Sequence, residues 1–321
     1  MSETPVSAGG VRVTVPATSA NLGPGFDAMG LAVDVCNVAD FAFDGDGVHV
    51  EVAGEGEGTL PTGASNLVAA SFLDCLRRLG VPEPAGVRIR CVNHIPQSGG
   101  LGSSAAAVVQ GAAAALVLRG GGHTPDQIFE LAAALEGHPD NAAPAVYGGA
   151  TIAYRSGESQ HPGRPIPRAQ VDTSVRIAAL PVLPEIRCAV LVPDFAVPTE
   201  RARAAQPDVV PLADAIFNAT RTALLTRALT AAPELLFEAT ADRLHQPYRA
   251  SLMPPTASLV RALRTAGFAA FVSGAGPTAM VLFPESREAT LRGVLSRTLD
   301  AHWRTLFPAV RAGGATVEPR L

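Results

Sequence analysis

One run of residues, Pro96-Gln97-Ser98-Gly99-Gly100-Leu101-Gly102-Ser103-Ser104-Ala105-Ala106, constrains this chain more than any other stretch. Val87 to Val92 reads as a strand leading into it, with Arg88 and Arg90 on the wet face. A long apolar helix leads out of it, from near Ser103 to Leu118, and Gly120 to Gly122 stop it. Glycines let the backbone turn several N–H groups toward one point, and a helix N-terminus adds positive potential there. The small side chains that follow allow an anion such as phosphate to approach the backbone closely. Ser103 and Ser104 can offer hydroxyls to phosphate oxygen or to a metal. A serine-capped tight turn accounts for one or two of these residues, but not for the ordered series of glycine, serine and alanine.

Composition narrows the chemistry. The chain has 321 residues, about two domains' worth, with 47% hydrophobic and 17% charged residues, enough for a buried core. All 25 basic side chains are arginine, so Schiff-base chemistry and a Walker-type lysine are excluded. The net charge of −4 provides no basic field for nucleic acid or an acidic membrane. The longest apolar stretch, Ala105 to Leu118, is broken by Gln110 and Gly111 and is too short to cross a bilayer. The first ten residues lack a basic start and an apolar run, so no secretory leader is read and a cytoplasmic protein is expected. Cys36, Cys75, Cys91 and Cys188 stand singly, as buried reduced thiols do, without the spacing of a zinc or redox motif.

Along the chain, Val11 to Val15 reads as a strand closed by Pro16, followed by a polar loop from Ala17 to Gly30. Leu31 to Phe43 and Val48 to Val52 read as strands. Asn66 to Leu79 reads as a helix ended by Gly80. Thr124-Pro125-Asp126-Gln127 is a capping box opening a helix that ends at Gly137. Arg155 to Asp172, rich in Pro, Gly, Ser and Arg, reads as a loop or domain seam. Ala189 to Val192, Ala269 to Val272 and Ala279 to Phe283 read as strands, and Leu212 to Ala231 as a helix. Strands and helices intersperse without a steady βαβ rhythm, which favours an α+β fold. The expected division is 1–165 and 166–321.

The bend at 96–106 lacks the Walker spacing and the dinucleotide GxGxxG order. It resembles the phosphate loop of the GHMP kinases, a superfamily of small-molecule kinases. Pro16-Ala17-Thr18-Ser19-Ala20-Asn21-Leu22-Gly23-Pro24-Gly25-Phe26-Asp27 is similar to their first motif in its homoserine kinase form, and Ser273-Gly274-Ala275-Gly276-Pro277-Thr278 to their third. Glu136-Gly137-His138-Pro139-Asp140-Asn141, with Tyr147-Gly148-Gly149 after it, resembles the loop that follows the metal-binding helix of homoserine kinases. Thr199-Glu200-Arg201-Ala202-Arg203 and Asp242 to Arg249 match the same family. The resemblance runs in order from residue 11 to 283. It implies a two-domain GHMP kinase fold, with mixed sheets and helices packed on one side of each domain. It also implies ATP and Mg²⁺ as cofactors.

The implied reaction is phosphoryl transfer from ATP to the side-chain hydroxyl of L-homoserine, giving O-phospho-L-homoserine for threonine biosynthesis. Pro96, Gly99, Gly100, Leu101, Gly102, Ser103, Ser104 and Ala105 would hold the phosphates, with Asn66 near adenine or serving as a helix N-cap. Ser104 and one glutamate, Glu136 or Glu130, would bind the metal. At about 100° per residue, Ile128, Leu131, Ala132 and Leu135 form an apolar stripe. Glu130 then faces solvent, while Glu136 lies on the stripe's flank, which favours Glu136. Arg203 and Arg249 suit the substrate carboxylate, Asp27 with Asn21 its ammonium, and His138 the pocket wall. Asn141 would orient the hydroxyl and Thr199 approach the transferred phosphate. Asp140 is either a general base or a loop-holding carboxylate.

Two other readings stay open on the sequence. One is a GHMP kinase for another small alcohol such as mevalonate. The other is a homologue that binds a metabolite without turnover. Dimers are common among these kinases, and the sequence leaves a homodimer open.

Overall fold

The computed structural model describes residues 10–97, 99–120, 122–156 and 175–319. Ser98, and the expected seam from residue 157 onward, lie outside the described residues. The chain runs β1 (Val11–Ala20), β2 (Met29–Ala42), β3 (Gly47–Gly54), α1 (Leu67–Leu79), β4 (Gly86–Asn93), α2 (Ser103–Arg119), α3 (Pro125–Glu136), α4 (Pro139–Tyr147), β5 (Ala150–Arg155) and β6 (Val175–Leu180). It continues with β7 (Ile186–Pro193), α5 (Thr199–Ala204), α6 (Leu212–Thr230), α7 (Leu236–Ala239), α8 (Gln246–Arg249), α9 (Pro254–Thr265), β8 (Ala269–Val272), β9 (Ala279–Pro284), α10 (Glu288–Thr298), β10 (Trp303–Leu306) and β11 (Thr316–Pro319).

Two sheets organise these elements. The first has the order β11-β1-β2-β4-β3, with β5 pairing both β2 and β6; the second has the order β10-β7-β9-β8. The β3–β4 pair is parallel, and the other pairs are antiparallel. The last strand returns to the first, with Val13 opposite Val317.

Pro16 does not close β1. The ladder shifts register between Pro16 and Ala17, whose partners on β2 are Cys36 and Val33. Proline cannot donate to a ladder, and the irregularity accommodates it while the strand continues to Ala20. The expected loop therefore shrinks to the turn between Ala20 and Met29. In that turn Asn21, Leu22 and Asp27 take left-handed backbone angles, φ 71°, 49° and 54°.

Helix α2 is buried on nearly every side and packs against α1, α3, α4 and β1. Its alanines let four elements surround it. Gly111 sits where a Cβ would lie 2.5 Å from the backbone nitrogen of Phe72, so α1 and α2 touch backbone to backbone. The capping box holds: Thr124 Oγ1 accepts from Gln127 N at 3.2 Å, and Gln127 Oε1 accepts from Thr124 N at 3.1 Å. Gly80 ends α1 in the left-handed region, φ 67°. The buried face of α3 is Ile128, Phe129, Ala132 and Ala133, with Leu131 and Leu135 half-buried, so the expected stripe is rotated toward Phe129. Cys75, Cys91 and Cys188 are buried free thiols and Cys36 is half-buried. Burial pushes the Cys75 and Cys188 thiols up to about 12. Among the described residues no helix is long and apolar enough to cross a membrane.

Candidate functional site

A cavity of about 580 Å³ opens where the α2 N-terminus meets the turn after β1, the start of α4, α5, α8 and the glycine turn before β9. The bend is built from both ends of the chain. Thr18 N donates to Leu101 O at 3.0 Å, and Thr278 N donates to Gly99 O at 3.1 Å. Ser273 Oγ donates to Gly100 O at 2.6 Å and lies 2.8 Å from Ser19 Oγ. Gly100 and Gly102 have φ of 80° and 67°. A Cβ on Gly100 would lie 2.2 Å from Ser273 O, and one on Gly102 would lie 2.0 Å from Thr18 Oγ1. Gly102 stands at the N-cap of α2 and provides no side-chain cap. The first amides of the helix therefore have no intrahelical partner and face a cavity lined by Ser103, Ser104 and Ala105.

Most of the sequence-derived candidates converge here. Gly99, Gly100, Gly102, Asn21, Asp27 and Asn66 line the cavity, as do Glu136, His138, Asp140, Asn141, Thr199, Arg203 and Arg249. Three do not. Pro96 is buried beneath the bend, and Leu101 is a core residue at 1% exposure whose carbonyl supports Thr18. Glu130 is exposed and away from the cavity, on the outer face of α3. Glu136, at the end of α3, accepts a short hydrogen bond on Oε1 from Ser104 Oγ. Burial raises its carboxyl above the ordinary range, partly offset by Ser104 and the charge of Arg203. Asn66 spends its side chain on structure: Oδ1 accepts from Val68 N at 3.0 Å and Nδ2 donates to Pro61 O at 2.9 Å.

A charged cluster lines the same cavity. Arg203 Nη2 is 3.6 Å from Asp27 Oδ1. Asn21 Oδ1 accepts from Asp27 N at 3.0 Å, and Asn21 Nδ2 donates to Gly274 O at 2.8 Å, so the strained turn is tied to the third glycine motif. Arg249 is 2% exposed. It donates from Nε to Ala202 O at 3.1 Å and from Nη1 to Gly274 O at 3.2 Å. Burial lowers its pKa to about 10 despite the nearby Asp27. Asp140 is 3% exposed with no hydrogen-bond partner on Oδ1, and burial, then the charge of Asp27, pushes it up to about 7. Asn141 Oδ1 accepts from Thr18 Oγ1 at 2.9 Å.

Thr18, Ser273 and His245 lie inside the motif segments, but no local signal marks their roles, because their partners lie 123, 173 and 222 residues away in the chain. A second cavity of about 570 Å³ lies behind the turn at 240–247. Two of its three arginines are engaged: Arg243 pairs with Asp214 at 3.3 Å, and Arg264 donates to Thr240 Oγ1, Ala270 O and Phe237 O.

Comparison with known proteins agrees with this geometry. Residues 66–149 match the family model for the GHMP kinase N-terminal domain, and residues 220–301 match that for the GHMP kinase C-terminal domain. The chain is 46% identical over 308 residues to a homoserine kinase of Corynebacterium aurimucosum, covering 96% of each chain. It is 47% identical over 276 residues to one from Cutibacterium acnes, covering 85% of this chain and 88% of the relative. The crystal structure of homoserine kinase from Cytophaga hutchinsonii superposes with a TM-score of 0.80 at 26% identity, covering 99% of this chain and 100% of that one. Mevalonate diphosphate decarboxylase from Staphylococcus aureus shares the fold, with a TM-score of 0.66 at 14% identity over 97% and 98% of the two chains. With the two family-model matches and these relatives, the chain belongs to the homoserine kinase family of the GHMP kinases.

Proposed function

We propose that this chain transfers the γ-phosphoryl group of ATP to the side-chain hydroxyl of L-homoserine, giving O-phospho-L-homoserine, the step that feeds threonine biosynthesis. One observation carries the reading. A single cavity is lined both by the open N-terminus of α2 with the Ser104–Glu136 pair and by Arg203, Arg249 and Asp27. The first suits a triphosphate, and the second suits a zwitterion.

Phosphoryl transfer needs charge neutralisation, in-line positioning and a destination for the hydroxyl proton. Main-chain amides at 103–105 neutralise phosphate charge in place of a lysine. Ser104 Oγ and Glu136 Oε1 are two oxygen donors in contact at the cavity wall, a set that suits Mg²⁺, which keeps several of its waters. Mg²⁺ bound there would offset the charge that develops on the phosphates. Leu60, Leu67 and Val108 line the cavity together with Asn66 and would flank adenine. Arg203 and Arg249 take the substrate carboxylate, Asp27 its ammonium, and His138 closes the wall. Asn141, fixed by Thr18, orients the hydroxyl, and Thr199 at the start of α5 approaches the transferred group. The proton has two destinations in this geometry, the Asp140 carboxylate and an oxygen of the transferred phosphoryl group.

The same reading divides the chain at about residue 165. Residues 1–165 carry the phosphate bend. Residues 166–321 carry Arg203, Arg249 and the third motif, while β6 and β11 complete the first sheet. An ADP-release assay over a panel of small alcohols tests the function. Homoserine-dependent release is expected; release with mevalonate alone, or none at all, overturns it.

A further inference from the structure

Behind the cavity, a buried imidazole contacts both sides of the amino-acid site. His245 is 0% exposed. Its Nε2 lies 2.8 Å from Gly23 O, and its Nδ1 lies 3.3 Å from Arg249 Nη1. A carbonyl oxygen can only accept a hydrogen bond, and a guanidinium can only donate. These two partners select the neutral ring with its proton on Nε2, donating to Gly23 and accepting from Arg249.

The other groups facing the ring are the Phe26 ring, stacked at 5.1 Å, and Asp242 Oδ2, 3.4 Å from Nε2. The charge of Asp27 reaches it from the same turn as Phe26. Asp242 is itself pinned by the backbone N–H groups of Leu244, His245 and Gln246 and by Asn218 Nδ2, so the turn presenting the imidazole is rigid. With Nε and Nη1 of Arg249 engaged, no described residue takes a hydrogen bond from Nη2.

Gly23 belongs to the turn that carries Asn21 and Asp27, and Arg249 to the helix on the other side. We propose that neutral His245 is a positioning residue for amino-acid recognition, fixing the spacing between the Arg249 guanidinium and the Asp27 carboxylate by spanning Gly23 O and Arg249 Nη1. This rests on the carboxylate-binding role given to Arg249 above. Protonation would place an N–H on Nδ1 against the N–H of Arg249, turning an acceptor into a donor beside a like charge. Burial holds the ring below its ordinary pKa, with Asp242 opposing and Arg249 reinforcing. Homoserine affinity therefore falls as pH drops through that titration, whereas ATP affinity does not follow it.

The test compares the full chain with His245→Ala, His245→Gln and Arg249→Ala, measuring kcat and both KM values against pH. A glutamine amide can still donate to Gly23 O and accept from Arg249. His245→Ala is expected to raise the homoserine KM roughly tenfold, with the ATP KM within about twofold. His245→Gln should recover most of that loss and abolish the acid-side rise in homoserine KM. Equal losses for both substrates, or an acid-side rise that persists in His245→Gln, overturn the proposal. If Arg249→Ala raises the homoserine KM and His245→Ala does not, the positioning role falls and the carboxylate reading stands. If Arg249→Ala leaves that KM unchanged, the carboxylate reading falls and takes this proposal with it. Should His245→Ala fail to fold, the glutamine variant and its pH profile decide.

Discussion

Ser104 and Glu136, 32 residues apart, meet side chain to side chain at the wall of the cavity, one from the first turn of α2 and the other from the last residue of α3. Glu136→Gln keeps the shape and removes the charge. The expected outcome is a kcat at least about tenfold lower, roughly 1.4 kcal/mol in the barrier, most marked at limiting Mg²⁺. Glu130→Gln should stay within about twofold. Steady-state rates across a Mg²⁺ titration check both, and the reverse ranking would move the metal to Glu130.

Arg203 and Asp27 are 3.6 Å apart, and both are partly exposed to the cavity, so their mutual attraction contributes little stability. Their placement bears instead on the substrate. Arg203→Gln should raise the homoserine KM by about tenfold and leave the ATP KM within about twofold. A double-mutant cycle with Asp27→Asn should show weak coupling in the melting temperature and strong coupling in homoserine KM.

Asp140 is held near pH 7 by burial and by Asp27, against 3.8 for an ordinary aspartate. Its folded pKa is raised, so its contribution to stability is complete below about pH 4 and is lost as pH rises through about 7. The loss is on the order of 4 kcal/mol. Asp140→Asn keeps a neutral side chain at every pH. Denaturant unfolding should show the variant gaining on the parent between about pH 4 and 7, and a constant difference would contradict the buried-acid reading. Turnover of the same variant assigns the proton. Loss of about 100-fold or more points to Asp140 as base, and smaller losses point to the phosphoryl oxygen.

Much of this site was legible because its local signals are strong. Gly80, the Thr124–Gln127 capping box and the glycine-serine-alanine bend each have a short-range physical meaning that tertiary packing did not override. Helix α4 falls on the stretch that resembles a family loop, and Pro139 and Pro144 obscure its helical pattern. Pro139 sits in the first turn, where its missing N–H costs nothing, and Pro144 leaves the carbonyl of Asp140 without a helical partner. Gly30 makes room for that carbonyl, since a Cβ there would lie 2.1 Å from Asp140 O. No local pattern announces such a match between β2 and α4. The roles of Thr18, Ser273 and His245 depend in the same way on partners more than 100 residues distant. Pro16 differs from its local signal for a related reason: proline does end many strands, but here a register shift absorbs it.

Thr18 tests the long-range part directly. Its hydroxyl donates to Asn141 Oδ1 at 2.9 Å, and its Oγ1 packs where a Cβ on Gly102 would stand. Thr18→Val keeps the volume and the strand and removes the donor. Asn141 then loses the contact that sets its amide direction, so kcat should fall several-fold, up to about tenfold, with both KM values nearly unchanged. Thr18→Ser restores the donor and should restore most of the rate.

Gly100 tests whether the bend depends on the third motif. Its φ of 80° disfavours any side chain, and a Cβ would stand 2.2 Å from Ser273 O and 2.9 Å from Gly276 N, both backbone atoms that cannot swing away. Gly100→Ala must therefore either flatten the bend or push the turn at 273–278 off it. The first turns amides away from the phosphates; the second breaks the Ser273–Gly100 and Thr278–Gly99 hydrogen bonds. Either way MgATP binding should weaken by about tenfold or more in calorimetry, even if far-ultraviolet circular dichroism shows the fold retained. Gly58 has a similar φ of 69° with open space around its Cβ position, so Gly58→Ala shares the conformational strain without the clash. That control should lose a little stability and no nucleotide affinity. If the two variants bind MgATP equally well, main-chain amides at this bend are not what holds the triphosphate.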